Sequence, residues 1–254
     1  MAFLVLEHFG ISTTDVLTGK EVEADRVTEL DRVIARVNDG EPVQYVLGEA
    51  WFYGMKFRVD PSVLIPRPET EVLVDLALTA RPAVETIRVL DLCTGSGAIA
   101  VAIARSRPGW SVTATDLSDA ALKTARDNAQ ALNAAVTFLQ HDTLSGDPPI
   151  SEQVDIIVSN PPYIPVRERD SMPRHVVGYE PSMALFTSDA EGLEFYRAIS
   201  SIALQALTPE GSLAVEIHEQ AGKAVAQVFL QAGFHTVEVK KDQFGKERYV
   251  TASR

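Results

Sequence analysis

Asn160-Pro161-Pro162-Tyr163 carries the clearest chemistry in this chain. It directly follows Val154-Asp155-Ile156-Ile157-Val158, a short apolar run that predicts a buried parallel strand. Two consecutive prolines cannot donate ladder hydrogen bonds, so the strand must stop there and leave Asn160 at its carboxyl end. In open α/β sheets that edge is where ligands bind. The proline rings remove backbone freedom, and each still offers a carbonyl acceptor. A rigid loop with an amide, free carbonyls and the Tyr163 ring suits a planar group bearing an NH2. The amide of glutamine and the exocyclic amine of adenine are both such groups. The plain alternative is a proline-terminated strand followed by a turn tyrosine.

A second constellation precedes it. Val89-Leu90-Asp91-Leu92-Cys93-Thr94-Gly95-Ser96-Gly97-Ala98-Ile99-Ala100 reads as strand, small-residue turn, then helix. Glycines let backbone approach a ligand closely, and the turn sits against a helix N-terminus. Ala100 occupies the third glycine position of the dinucleotide fingerprint, which disfavours hydride chemistry, and no Lys-Ser/Thr pair makes a phosphate loop. Asp91 is placed to accept from an amino-acid ammonium or a bound water. Asp116, ending the strand Thr113-Ala114-Thr115-Asp116, is placed for ribose hydroxyls. Asp142, with Thr143 beside it, follows Val136-Thr137-Phe138-Leu139 and is placed for an adenine amine. Each acid has a duller reading as a helix cap. His141 reads as a surface loop residue because no partnered nucleophile is evident, and Cys93 as a small packing residue. Together, a glycine turn, two acids and Asn-Pro-Pro-Tyr after successive strands point to one ligand edge.

The elements that must position these groups follow an α/β rhythm. From Arg88 onward, strand and helix alternate over 88–92, 97–106, 111–116, 118–132, 135–139, 154–158, 191–206, 211–217, 219–231, 235–240 and 247–252. That predicts a mostly parallel sheet covered on both faces, and the short 241–246 connection predicts an antiparallel hairpin at one edge. Upstream, Leu30, Val33, Ile34 and Val37 form a helical stripe stopped by Asn38-Asp39-Gly40. Residues 44–59, with Tyr45, Val46, Trp51, Phe52, Tyr53, Phe57 and Val59, predict a β-hairpin linker punctuated by Gly48 and Gly54. Leu64-Ile65-Pro66-Arg67-Pro68 should be extended, and Glu69 to about Ala80 helical. No internal repeat or low-complexity segment is evident.

Composition narrows the classes. The 254 residues, 46% hydrophobic and 23% charged, are those of an ordinary globular chain. A net charge of −12 argues against free duplex nucleic acid as partner. The single cysteine, Cys93, excludes an internal disulfide and a cysteine-based zinc site. The first residues, Met1 to Glu7, do not resemble a signal peptide and no run is long enough to span a bilayer, so a cytoplasmic location is expected.

The order of Asp91-Leu92-Cys93-Thr94-Gly95-Ser96-Gly97, Asp116 and Asn160-Pro161-Pro162-Tyr163 resembles the class I S-adenosylmethionine-dependent methyltransferases. More narrowly, Gly40-Glu41-Pro42, the segment Leu64 to Glu71, and Tyr179-Glu180-Pro181 with Ala184-Leu185 resemble the release-factor glutamine methyltransferases, the HemK/PrmC family. Arg67-Pro68-Glu69-Thr70 separates the chain from the sister enzymes acting on a ribosomal-protein glutamine, whereas Asn-Pro-Pro-Tyr alone is shared with adenine methyltransferases.

The resemblance implies a Rossmann-like sheet over 69–254, a helical docking domain over 1–40, shorter than the family's usual one, and a hairpin linker over 41–68. It implies transfer of the methyl of S-adenosylmethionine, leaving S-adenosylhomocysteine, to a glutamine amide nitrogen of a release factor in translation termination. Asp91, Cys93, Thr94, Gly95, Ser96, Gly97, Asp116, Asp142, Thr143 and Asn160 would hold the cofactor. Asn160, Pro161, Pro162 and Tyr163 would hold the glutamine, with Asn160, Pro161 and Tyr163 acting in the transfer and no metal required. Cys93 stands where many relatives have glycine, and a small side chain is expected to fit. Trp51, Phe52 and Tyr53 are candidates for a docking surface, with a core role expected for at least two. The loop bearing Arg167, Glu168, Arg169 and Asp170 should close over the glutamine. A monomer without membrane or direct DNA contact is expected. The alternatives are an adenine-specific nucleic-acid methyltransferase, a ribosomal-protein glutamine methyltransferase and a non-catalytic cofactor-binding module.

Overall fold

Residues 2–19, 24–81 and 86–254 are described by the structure, a computed structural model. The chain opens with helices α1 (Ala2–His8), α2 (Thr13–Leu17), α3 (Ala24–Asn38) and α4 (Val43–Leu47). A reciprocal capping box starts α2: Ser12 Oγ accepts from the Asp15 N–H at 3.0 Å, and the Asp15 carboxylate accepts from the Ser12 N–H at 2.9 Å. Leu30, Val33 and Val37 pack with Val5, Phe9 and Val43. Ile34 faces outward, so the buried stripe is narrower than its spacing predicted.

Residues 43–47 correct the expectation of a hairpin beginning at 44. They form α4, with Pro42 at its N-cap and Gly48 closing it at φ 72°. Tyr45 and Val46 have β-favouring side chains, yet burial of Tyr45 and its hydrogen bond to the Val63 carbonyl at 2.6 Å override that preference. The hairpin proper is β1 (Glu49–Phe52) and β2 (Met55–Arg58), turned by Tyr53 and Gly54 at φ 50° and 70°. Phe52 and Phe57 enter the main core, whereas Trp51 remains 45% exposed beneath the Lys56 ammonium.

A 3-10 turn (Pro68–Thr70) leads into α5 (Glu71–Ala80). The alternating elements follow: β3 (Arg88–Leu92), α6 (Ala98–Ser106), β4 (Ser111–Asp116), α7 (Asp119–Ala131), β5 (Val136–Gln140) and β6 (Val154–Ser159). Beyond β6 come β7 (Ile164–Pro165), α8 (Arg174–Val177), α9 (Ser182–Leu185), β8 (Phe186–Thr187), α10 (Glu194–Ala206), β9 (Leu207–Glu216), α11 (Gly222–Ala232), β10 (Thr236–Lys241) and β11 (Glu247–Ser253). Seven strands form one sheet in the order β10-β11-β9-β6-β3-β4-β5. β9, β6, β3, β4 and β5 are parallel, and β11 is antiparallel to both neighbours, as the short 241–246 connection predicts. β7 and β8 make a separate two-residue parallel pair that no sequence pattern announces.

Side chains on the central strands feed two cores. Val89, Ile156 and Val158 pack with α5 and α6, while Leu90, Leu92 and Ile157 pack with α10 and α11. This two-faced burial fixes register, because a one-residue slip would exchange the faces. It therefore fixes which side chains emerge at the carboxyl ends of β3, β4, β5, β6 and β9.

Candidate active site

The turn after β3 is built from left-handed backbone. Cys93, Gly95 and Gly97 have φ of 61°, 55° and 81°. A Cβ on Gly97 would lie 3.1 Å from the Ala125 Cβ, so α6 and α7 approach too closely there for a side chain. A Cβ on Gly95 would meet nothing within 4 Å, leaving that backbone open to a ligand. Cys93 adopts this conformation as an L-residue, at a cost of about 1–2 kcal/mol. Burial pushes its thiol up to about 12, in keeping with a packing role.

Asp116 joins the turn to β4. One carboxylate oxygen accepts from the Gly95 N–H at 2.9 Å, the other from the Ser118 N–H at 2.9 Å. Burial pushes its pKa up. Asp91 lies beneath the turn, fully buried, and accepts from the Thr94 hydroxyl at 2.6 Å with Oδ2. Its Oδ1 has no protein partner, and burial raises the carboxyl to about 7. Asp142 caps a 3-10 turn (Thr143–Ser145) by accepting from the Leu144 N–H at 2.9 Å. Thr143 is buried 3.5 Å from the Cys93 sulfur. His141 lies in the loop after β5. It is half-buried on the cavity wall, its Nε2 lacks a protein partner, and burial lowers its pKa.

The Asn-Pro-Pro-Tyr loop leaves β6 and meets two residues that the sequence reading did not single out for a role. Asn160 donates from Nδ2 to the Thr70 hydroxyl oxygen at 3.1 Å. Thr70 in turn donates to Glu216 Oε2 at 2.7 Å, and the Tyr163 hydroxyl donates to Glu216 Oε1 at 3.2 Å. Glu216 is buried at the carboxyl end of β9, and burial raises it to about 7. One signal was available for it: a lone acid closing the apolar run Leu213-Ala214-Val215, the same pattern that marked Asp91 and Asp116.

These groups surround a cavity of about 320 Å³. Its wall includes Cys93, Thr94, Gly95, Ser96, Asp116, Asp142, Thr143, Asn160 and Pro162, so most of the predicted set converges. Asp91, Gly97, Pro161 and Tyr163 lie outside that wall, and Tyr163 turns its hydroxyl toward Glu216. Thr70, Arg67, Pro181 and Met183 also line the cavity. The segment after Tyr163 is a 3-10 helix (Val166–Ser171), with Arg167 donating to the Ala190 carbonyl and Glu168 3.5 Å from His218. Among the described residues no cluster of three or more potential metal ligands occurs, and no helix is long and apolar enough to cross a membrane.

Residues 69–175 match the model of the methyltransferase small domain. A release factor glutamine methyltransferase of Bacteroides thetaiotaomicron is 41% identical over 250 residues, 98% of this chain and 89% of the relative. One from Neisseria gonorrhoeae is 43% identical over 91% of this chain and 83% of its own. The chain belongs to the release factor glutamine methyltransferase family. Family membership makes it a methyltransferase and carries the expected fold with it. Among solved structures, a Pyrococcus furiosus methyltransferase superimposes with a TM-score of 0.59 at 19% identity, covering 88% of this chain and 98% of that one. A Thermus thermophilus 16S rRNA guanosine methyltransferase, solved with AdoMet and guanosine, gives 0.58 at 19% identity over 81% and 49%. Both match the sheet architecture.

Proposed function

We propose that this protein transfers a methyl group from S-adenosylmethionine to the side-chain amide nitrogen of a glutamine in a peptide chain release factor. Relatives of that name cover nearly the whole chain, and the observation that carries the chemistry is Asn160 on the cavity wall with its amide nitrogen already engaged by Thr70. The oxygen side of Asn160 is left to receive an N–H from a substrate amide.

The site suits the cofactor. Unpartnered Asp91 Oδ1 lies buried beneath the turn and complements an ammonium or its bound water. Open backbone at Gly95 admits close approach, and Asp116 and Asp142 stand on the wall for ribose and adenine polar groups. When bound, S-adenosylmethionine supplies an electrophilic methyl on a sulfonium. Asn160 Oδ1 and the Pro161 carbonyl each accept one N–H of the substrate amide, which aims its nitrogen and favours its pyramidal, nucleophilic form. Rate acceleration then comes from positioning and fixed dipoles, with no covalent intermediate. The net charge of −12 favours a protein acceptor over a phosphate backbone.

Incubation with labelled cofactor and either a purified release factor or adenine-rich single-stranded DNA tests the reading. Label on the release factor, lost on substituting a single glutamine, is expected. Label on DNA and none on protein would overturn it. Asn160→Ala should lower turnover by about 100-fold or more while cofactor affinity stays within a few fold.

A further inference from the structure

A primary amide is nearly symmetric in shape, so packing alone does not distinguish its oxygen from its nitrogen. For a clamp that distinction decides the chemistry. Turned over, Asn160 would donate into the acceptor nitrogen's lone pair and block attack. The hydrogen-bond network behind it removes the ambiguity. An ionised Glu216 only accepts, so the single Thr70 hydroxyl proton goes to Glu216 Oε2 at 2.7 Å. Thr70 Oγ1 then has only lone pairs for Asn160, 3.1 Å away, and the NH2 side alone satisfies it. We propose that Thr70 and Glu216 are positioning residues that lock the Asn160 amide with its oxygen toward the acceptor nitrogen. This inference rests on the assignment of Asn160 as the amide clamp.

Glu216 is well anchored for the task. Tyr163 donates to its other carboxylate oxygen at 3.2 Å, and Tyr196 donates to its backbone carbonyl at 3.0 Å. The ionisable groups facing it are Arg248 and Tyr249 from β11, Glu69 from the 3-10 turn, Tyr163 from the loop and Tyr196 from α10. Protonation reverses the logic. A neutral Glu216 donates to Thr70, whose proton is then free to seek the Asn160 oxygen, and the flipped amide becomes accessible. Because burial places this titration at about 7, the locked orientation gains population as pH rises through that value.

Steady-state methylation of a release factor by the full chain, as wild type and as Thr70→Val, Thr70→Ser and Glu216→Gln, provides the test. Thr70→Val should lose about 10–100-fold in kcat, with cofactor affinity by calorimetry within a few fold, as misorientation at a reacting group does. Thr70→Ser keeps the hydroxyl and should recover most of the rate. Wild-type kcat should rise with pH through about 7, and that limb should vanish in Thr70→Val and Glu216→Gln. Undiminished kcat in Thr70→Val, equal losses in Thr70→Val and Thr70→Ser, or an unchanged pH limb in Glu216→Gln would overturn the lock alone. If Thr70→Val does not fold, the pH limb of Glu216→Gln decides. Wild-type protein that methylates no release factor overturns the acceptor assignment, and the lock with it.

Discussion

Arg67, on the cavity wall, and Glu180, distant in sequence, form an ion pair at 2.5 Å. The Glu180 side chain is only 1% exposed and also accepts from the Ile65 N–H at 3.3 Å. The pair thus pins the extended Leu64–Pro68 linker to the segment that carries Pro181 and Met183, both on the cavity wall. One wall of the site is therefore held by a link between two segments outside the sheet.

Removing one partner of a buried pair costs more than the pair is worth, because the remaining charge stays desolvated. Arg67→Ala should destabilise the fold by about 2–4 kcal/mol in urea unfolding. The double variant Arg67→Ala/Glu180→Gln should recover part of that loss. Equal stability of the wild type and Arg67→Ala would show that Glu180 finds water instead.

Cys93 offers two independent measurements. Its left-handed backbone, φ 61°, favours glycine, so Cys93→Gly should be at least as stable as Cys93→Ala, reversing their usual order of about 1 kcal/mol. With its pKa pushed up by burial to about 12, the thiol should react with iodoacetamide near pH 8 far more slowly in native than in unfolded protein. Rapid native alkylation would contradict the raised pKa.

Asp91 makes stability depend on pH in a definite direction. Burial raises its folded pKa to about 7 from an ordinary 3.8, so the native state binds a proton that the unfolded chain releases. Its contribution is fully present below about pH 4 and is lost as pH rises through about 7. Asp91→Asn carries no such charge. Its stability relative to wild type should grow by about 2–4 kcal/mol over that window, given about 1.4 kcal/mol per unit of pKa difference. Parallel stability curves for the two proteins would place the Asp91 pKa near its ordinary value.

Much of this arrangement is legible in the sequence because a parallel sheet gathers strand ends on one edge. An acid or amide closing an apolar run, as at Asp91, Asp116 and Asn160, is thereby assigned to a shared site before any coordinates are known. What escapes is long-range or locally disguised. Thr70 reads as part of the first turn of the helix expected from Glu69, and only the fold brings it to Glu216, a partner 146 residues away. Tyr45 and Val46 favour strand locally, and only the burial of Tyr45 against residues such as Val59 and Val63 makes them helical. The same holds for β7 and β8, two residues each, which have no room to show an alternation.

Asp116 brings the site's geometry and its ligand chemistry to one residue. Each carboxylate oxygen accepts a backbone N–H at 2.9 Å, from Gly95 and from Ser118, and each retains a further lone pair for a ribose hydroxyl. On the proposed cofactor assignment, replacing it removes a ligand contact and releases the glycine turn at once. Asp116→Ala should weaken S-adenosylmethionine binding by about 2–3 kcal/mol, the scale of a hydrogen bond to a charged group. Asp116→Asn separates the two roles. One amide oxygen can still hold a single backbone N–H, whereas the NH2 faces the other and cannot accept from it. Calorimetry should place Asp116→Asn between wild type and Asp116→Ala, with slower turn closure visible as faster hydrogen exchange at Gly95. Unchanged affinity in Asp116→Ala would remove Asp116 from the cofactor site and leave it only the structural role of holding the turn.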